Sequence, residues 1–205
     1  MCNIDSLFDK LSISCEESVR KEAIKEARGI KSICVFLMPE TPEHGRDIWE
    51  ACARILSERT DDELLLSNIT KGLIKWVSDM SLPGADIIEE RLRKIDPESL
   101  VDTFTEAFES EILMGNKRRS GFLAEFAKDD ARLFSLLTEE HKNLVMGLLT
   151  SPEKDHRETL IKLIDEREGY VYEKARLDME NYISKVGDNL DDAQRAFLRS
   201  LVQGE

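Results

Sequence analysis

The sequence predicts an all-α protein, arranged as an irregular α-solenoid of stacked helical hairpins, with a compact helical bundle as the alternative. Three observations carry this expectation. Apolar residues recur at helical spacing along almost the whole chain. Helix-start signals separate these stripes at short intervals. Outside one apolar run, no stretch reads as a strand, with apolar and polar residues alternating and β-branched or aromatic types enriched. Of 205 residues, 41% are hydrophobic and only 10 are Gly and 5 are Pro, which excludes a disordered or fibrous chain.

The elements follow in order. Ser14-x-x-Glu17 has capping-box spacing and opens a helix. The apolar run Ile30–Met38 is the one strand candidate, and its helical neighbours favour a buried helix. Thr41-Pro42 pairs an N-cap residue with a proline at the first helical position. Ile48, Trp49, Cys52, Ile55 and Leu56 then form one apolar stripe. Thr60-x-x-Glu63 is a second capping box, ahead of a stripe of Leu65, Ile69 and Leu73 with Leu66, Ile74 and Val77 beside it. Asp96-Pro97 starts the helix of Leu100, Phe104 and Phe108. Met114–Gly121 reads as a polar loop. Leu133, Leu136 and Leu137 follow, then Thr138 capping the helix of Leu144, Val145, Leu148 and Leu149. Ser151-Pro152 opens the helix of Leu160, Ile161 and Ile164, and Asn189 caps a last one.

This makes about nine or ten helices joined by short turns, which favour antiparallel neighbours. Helices in the first half pair with a rhythm of roughly 35–45 residues, close to that of HEAT-like repeats. The expected organisation is a single all-α domain over 1–205, with a repeat layer over 1–114 and a C-terminal helical layer over 121–205.

The charge restricts the function. Lys and Arg number 29 against 42 Asp and Glu, a net −13, so no broad surface neutralises nucleic-acid phosphates. A folded acidic surface instead attracts basic partners. The start of the chain, Met1-Cys2-Asn3-Ile4-Asp5, lacks a signal-peptide pattern, and no apolar run is long enough to cross a bilayer. The four cysteines, Cys2, Cys15, Cys34 and Cys52, form no Cys-x-x-Cys pair, and Cys34 and Cys52 sit among apolar neighbours. A cytoplasmic protein is expected. His44, His141 and His156 stand alone and are expected on the surface; no metal or cofactor is expected, and no nucleophile or phosphate-loop motif appears. The chain is therefore expected not to be an enzyme. Lys117-Arg118-Arg119 is the one basic cluster, read as a solvated loop.

One segment resembles a known pattern. Leu73-x-x-Trp76-x-x-Asp79-x-x-x-Pro83-Gly84-Ala85-x-x-Ile88-x-x-x-Leu92 is similar to a helix–turn–helix found in small helical-repeat proteins of bacteria. These include immunity proteins of polymorphic and contact-dependent growth inhibition toxin systems. Their turn usually carries Asn-Trp-Pro-Gly, where this chain has Ser81-Leu82-Pro83-Gly84. In this reading Trp76, Leu73 and Val77 pack on Ile87, Ile88 and Leu92. Ser81 caps, Pro83 starts the next helix, and Gly84 and Ala85 allow close approach. The likeness, over about residues 61–100, implies a toxin inhibitor, and the acidic charge suits a basic nuclease as its partner. Binding would place carboxylates where the toxin expects phosphates. The candidates are Asp61, Asp62 and Glu63, Glu89 and Glu90, Asp129 and Asp130, and Glu139 and Glu140. The rival reading is a helical-repeat interaction scaffold or regulatory adaptor.

Overall fold

A computed structural model describes residues 4–41 and 43–186. Among these the protein is all-helical, with eleven α-helices, one 3-10 turn and no strand. Contacts divide the chain into two units, Met1–Arg157 and Glu158–Glu205.

The first unit begins with α1 (Ile4–Leu11) and α2 (Glu17–Ala27), which pack on each other. Leu7, Phe8 and Leu11 bury one face of α1. The expected Ser14 capping box does not form. Ser14 is drawn to the Ser12 hydroxyl at 2.9 Å, and α2 starts without a side-chain cap. The Ile30–Met38 run is neither α-helix nor strand but a 3-10 turn over Ile33–Phe36, which buries Ile33 and Phe36 and leaves Cys34 exposed. No helix starts at Thr41. Its hydroxyl instead closes a turn by accepting from the His44 N–H at 3.0 Å.

Next come α3 (Trp49–Ser57), α4 (Asp61–Leu64), α5 (Ser67–Val77) and α6 (Ala85–Leu92). The α3 stripe is buried as its spacing requires, including Cys52, whose thiol burial pushes up to about 12. Thr60 and Glu63 form the predicted capping box, but the following stripe is broken. The one-turn α4 stops at Leu64, and Leu66 is left exposed. α3 packs on α6 and on the 3-10 turn, and α5 packs on α6 and α7.

The α5–α6 turn differs from expectation in its caps. Asp79, not Ser81, organises it, accepting from the Ser81 N–H at 3.1 Å and hydroxyl at 2.6 Å. Gly84 is the N-cap, at φ +79°, and α6 starts at Ala85 rather than Pro83. A Cβ on Gly84 would lie 2.5 Å from the Ala53 Cβ, so glycine is required both for this backbone and for the α3–α6 approach. Trp76 is fully buried, donates to the Pro83 carbonyl at 3.1 Å and meets Trp49 edge-on at 6.0 Å.

The unit continues with α7 (Pro97–Leu113), α8 (Lys117–Asp129), α9 (Ala131–Leu136) and α10 (Glu139–Thr150). Phe104 and Phe108 of α7 stack at 5.9 Å, and Phe104 lies 5.9 Å from Phe126 of α8. The polar Met114–Gly121 stretch is not a long loop, since only Met114–Asn116 turn and α8 begins at Lys117. α8 packs on α7, α9 and α10. Ser151-Pro152 does not begin a helix. α11 (Arg157–Val186) begins later and carries the second unit's described residues, with Ile161, Tyr170, Val171 and Leu177 exposed. Asn189 lies outside the described residues.

Candidate functional site: an arginine–carboxylate edge

Helix C-termini leave carbonyls without intrahelical partners, and buried ends need donors. Here arginines from later in the chain supply them. Arg59, just past α3, reaches the end of α2: it donates to the carbonyls of Ala27 at 2.8 Å, Ile30 at 3.0 Å and Arg28 at 3.2 Å. Arg91, in the last turn of α6, donates to the Arg59 carbonyl at 2.9 Å. Arg132 of α9 donates to the carbonyl of Arg93, the residue that caps α6, at 2.6 Å. The steps span 32, 32 and 39 residues. Guanidinium groups thus tie the end of α2 to the end of α3, the end of α3 to α6, and the end of α6 to α9.

Carboxylates gather around these arginines. Asp61 pairs with Arg91, and Glu63 lies 3.4 Å from Arg59. Arg93 holds Glu89 at 2.6 Å and has Asp129 at 4.0 Å. Glu90 pairs with Lys94 at 2.6 Å. Asp130 caps α9 by accepting from the Arg132 and Leu133 N–H groups, with the Arg132 guanidinium 3.2 Å away. Three of the four predicted acidic groups, 61–63, 89–90 and 129–130, therefore have members paired with cations at or beside these links.

Two of the linking arginines are turned inward. The Arg59 and Arg91 side chains are 9% and 12% exposed, their guanidinium groups turned onto carbonyls. Asp61, Asp129 and Glu90 are 51%, 72% and 73% exposed, and Asp62 is also exposed. Lys94 and Arg132 are also exposed, at 64% and 57%, so solvent meets both signs of charge along this edge, with Asp61, Asp62, Glu90 and Asp129 as its exposed acids. Several of these acids are held in the charged form. The Thr60 N–H, with burial opposing it, keeps Glu63 below the usual carboxylate range, and the Lys94 ammonium does so for Glu90. At Asp130 burial raises the pKa, but bonds from Arg132 and Leu133 outweigh it.

The fourth group is set apart by its local role. Glu139 and Glu140 open α10, where acids complement the helix dipole, and Glu139 pairs with Lys142 at 2.8 Å. The basic cluster is not a free loop either. Lys117 donates to the Glu153 carbonyl, Arg118 lies 3.2 Å from Asp79, and Arg119 lies 3.8 Å from Glu111.

The histidines correct the surface expectation. His141 is buried, with Nδ1 2.8 Å from the Thr138 hydroxyl and Nε2 2.9 Å from Glu109. Thr138 also accepts from the His141 N–H at 3.3 Å, so this hydroxyl–imidazole–carboxylate chain is an elaborated helix cap. His156 is buried and bonds the Ser151 carbonyl at 3.2 Å. His44 bridges Asp9 at 2.9 Å and Asp47 at 3.2 Å, which ties α1 to the segment before α3. Among the described residues no group of three or more His, Cys, Asp and Glu is arranged to hold a metal, and no helix is long and apolar enough to cross a membrane.

The arginines are what sequence reasoning missed. Arg59 and Arg91, at or just past a helix C-terminus, look like ordinary dipole-complementing residues, and Arg132 lies in the first turn of α9. No protein family, curated protein or solved structure matches the chain.

Proposed function

We propose that this chain is a cytoplasmic immunity protein. It binds a cognate bacterial toxin domain, a basic nuclease, and occludes the toxin's active or substrate-binding surface. It acts by binding rather than catalysis and takes no cofactor, nucleic acid or membrane as partner. The first unit is an irregular, HEAT-like solenoid, a reading supported by the arginine links at 32, 32 and 39 residues that join α2, α3, α6 and α9.

The observation that carries the binding role is that Asp61, Glu90 and Asp129 are more than half exposed on the edge where the Arg59 and Arg91 guanidinium groups are turned onto carbonyls. Fixed, solvent-facing carboxylates present a basic protein with the charge pattern of a phosphate backbone. Arg59 and Arg91 are committed to helix ends, so beside Glu63 and Asp61 they present little positive charge to the partner. The net −13 adds long-range attraction of the same sign.

The test asks whether an effector with a toxic C-terminal domain is encoded beside this gene, and co-expresses that domain with this chain. Cells producing both proteins should survive, and the two should co-purify one-to-one. Equal killing with and without this chain, and no complex at micromolar concentration, would refute the immunity role.

A further inference from the structure

The apolar residues of α11 repeat with a period of eleven. Leu160, Ile161 and Ile164 are matched eleven positions on by Val171, Tyr172 and Ala175, and eleven further on by Tyr182, Ile183 and Val186. At about 3.67 residues per turn such a repeat returns to the same side of the helix, and when sustained it marks helices wound on one another. The stripe runs from Leu160 to Val186, about 39 Å of helix. Among its described side chains Leu160 is buried, but Ile161 is 47% and Val171 59% exposed, and Ile164 is half-buried.

An apolar stripe of this kind is stable against a surface of matching length. Among the described residues the next longest helix, α7, has 17 residues, about 26 Å, and its Leu100, Phe104 and Phe108 are already buried. A second α11 matches in both length and period. The charges favour the same occupant. Asp165 and Arg176 stand one repeat apart on one flank of the stripe, and Arg167 and Asp178 one repeat apart on the other. Along each flank the sign therefore reverses from one repeat to the next. Two such helices laid antiparallel bring like flanks together end for end, so opposite charges meet. Glu168 lies within the stripe, one repeat before Met179. Antiparallel pairing sets Glu168 beside Met179 of the second copy, whereas parallel pairing sets it against its own like-charged counterpart.

We propose that two copies of this chain pair through α11, antiparallel about a two-fold axis, in a register that sets Ile164 opposite Tyr182, Val171 opposite Ala175 and Arg167 opposite Asp178. The pairing does not depend on the toxin-binding role, whose one-to-one stoichiometry it preserves as two chains to two toxin domains.

The experiment is analytical ultracentrifugation of the full chain over micromolar concentrations. The mass should approach twice the 23.5 kDa of one chain as concentration rises. Val171→Glu, at an exposed position, should keep the helical circular-dichroism spectrum and sediment as a monomer. Arg167→Glu and Asp178→Arg should each weaken pairing at least tenfold. The two together should restore it to near the wild-type level, because the exchanged charges meet again in the antiparallel register. In a parallel pair they would instead face Asp165 and Arg176, of like sign, and pairing would not recover. A wild-type chain that stays monomeric throughout the micromolar range, a Val171→Glu variant that pairs as the wild type does, or a double variant no better than either single one would each overturn the proposal.

Discussion

His44 shows how one side chain can carry a pH dependence into the fold. Its bond to Asp9 holds the imidazole pKa above its ordinary 6.5; burial opposes this, and the bond to Asp47 adds to it. A group whose folded pKa is raised contributes stability that is fully present below its unfolded pKa and is lost as pH rises through the folded value. Asp47 behaves oppositely. Burial raises its pKa, but bonds from the Gly45 N–H, Ser12 and His44 outweigh it, so it stays ionised throughout that window. Urea unfolding followed from pH 5.5 to pH 8.5 should show the wild type losing stability that His44→Asn does not lose. Parallel pH profiles would mean that the Asp9–His44–Asp47 bridge contributes nothing in solution.

At the level of the element, the α3–α6 contact depends on Gly84. Alanine there meets a left-handed backbone and a 2.5 Å approach to the Ala53 Cβ, a strain and an overpacking that together should cost about 2–4 kcal/mol. Gly121 of α8 has open space around its Cα, so Gly121→Ala should stabilise the chain by about 0.5–1 kcal/mol. Chemical denaturation of the two variants measures both, and equal midpoints would remove the special role given to Gly84. The same contact shows what could be read beforehand. The Trp76 and Gly84 motif, the Thr60 and Thr138 caps and the α3 stripe were legible because each signal lies within a few residues of the structure it sets. The failures were of two kinds. Ser14, Thr41 and Ser151 have the right local pattern, but no helix begins where they were expected to cap one. Arg59, Arg91, Arg132 and His141 act on groups 29 to 39 residues away, and no local window holds both partners.

Across the first unit, these long-range ties have one consequence, since they gather acids that are distant in sequence onto one edge. The predicted carboxylates thus separate into an edge set and a set at the start of α10, and the proposed partner would be met by the first. Steering by such an edge acts mainly on the association rate and is screened by salt, while dissociation follows short-range contacts. The most direct measurement is the association rate constant with the neighbouring effector's toxic domain, taken over a range of salt concentrations. It should be made for the wild type, for Glu90→Lys with Asp129→Lys, and for Glu139→Lys with Glu140→Lys. The wild-type rate should fall steeply with salt, the edge variant should be at least tenfold slower and flatter with salt, and the α10 variant should behave nearly as the wild type. Equal slowing in both variants, or an edge variant that associates as fast as the wild type at low salt, would show that the edge does not steer the partner.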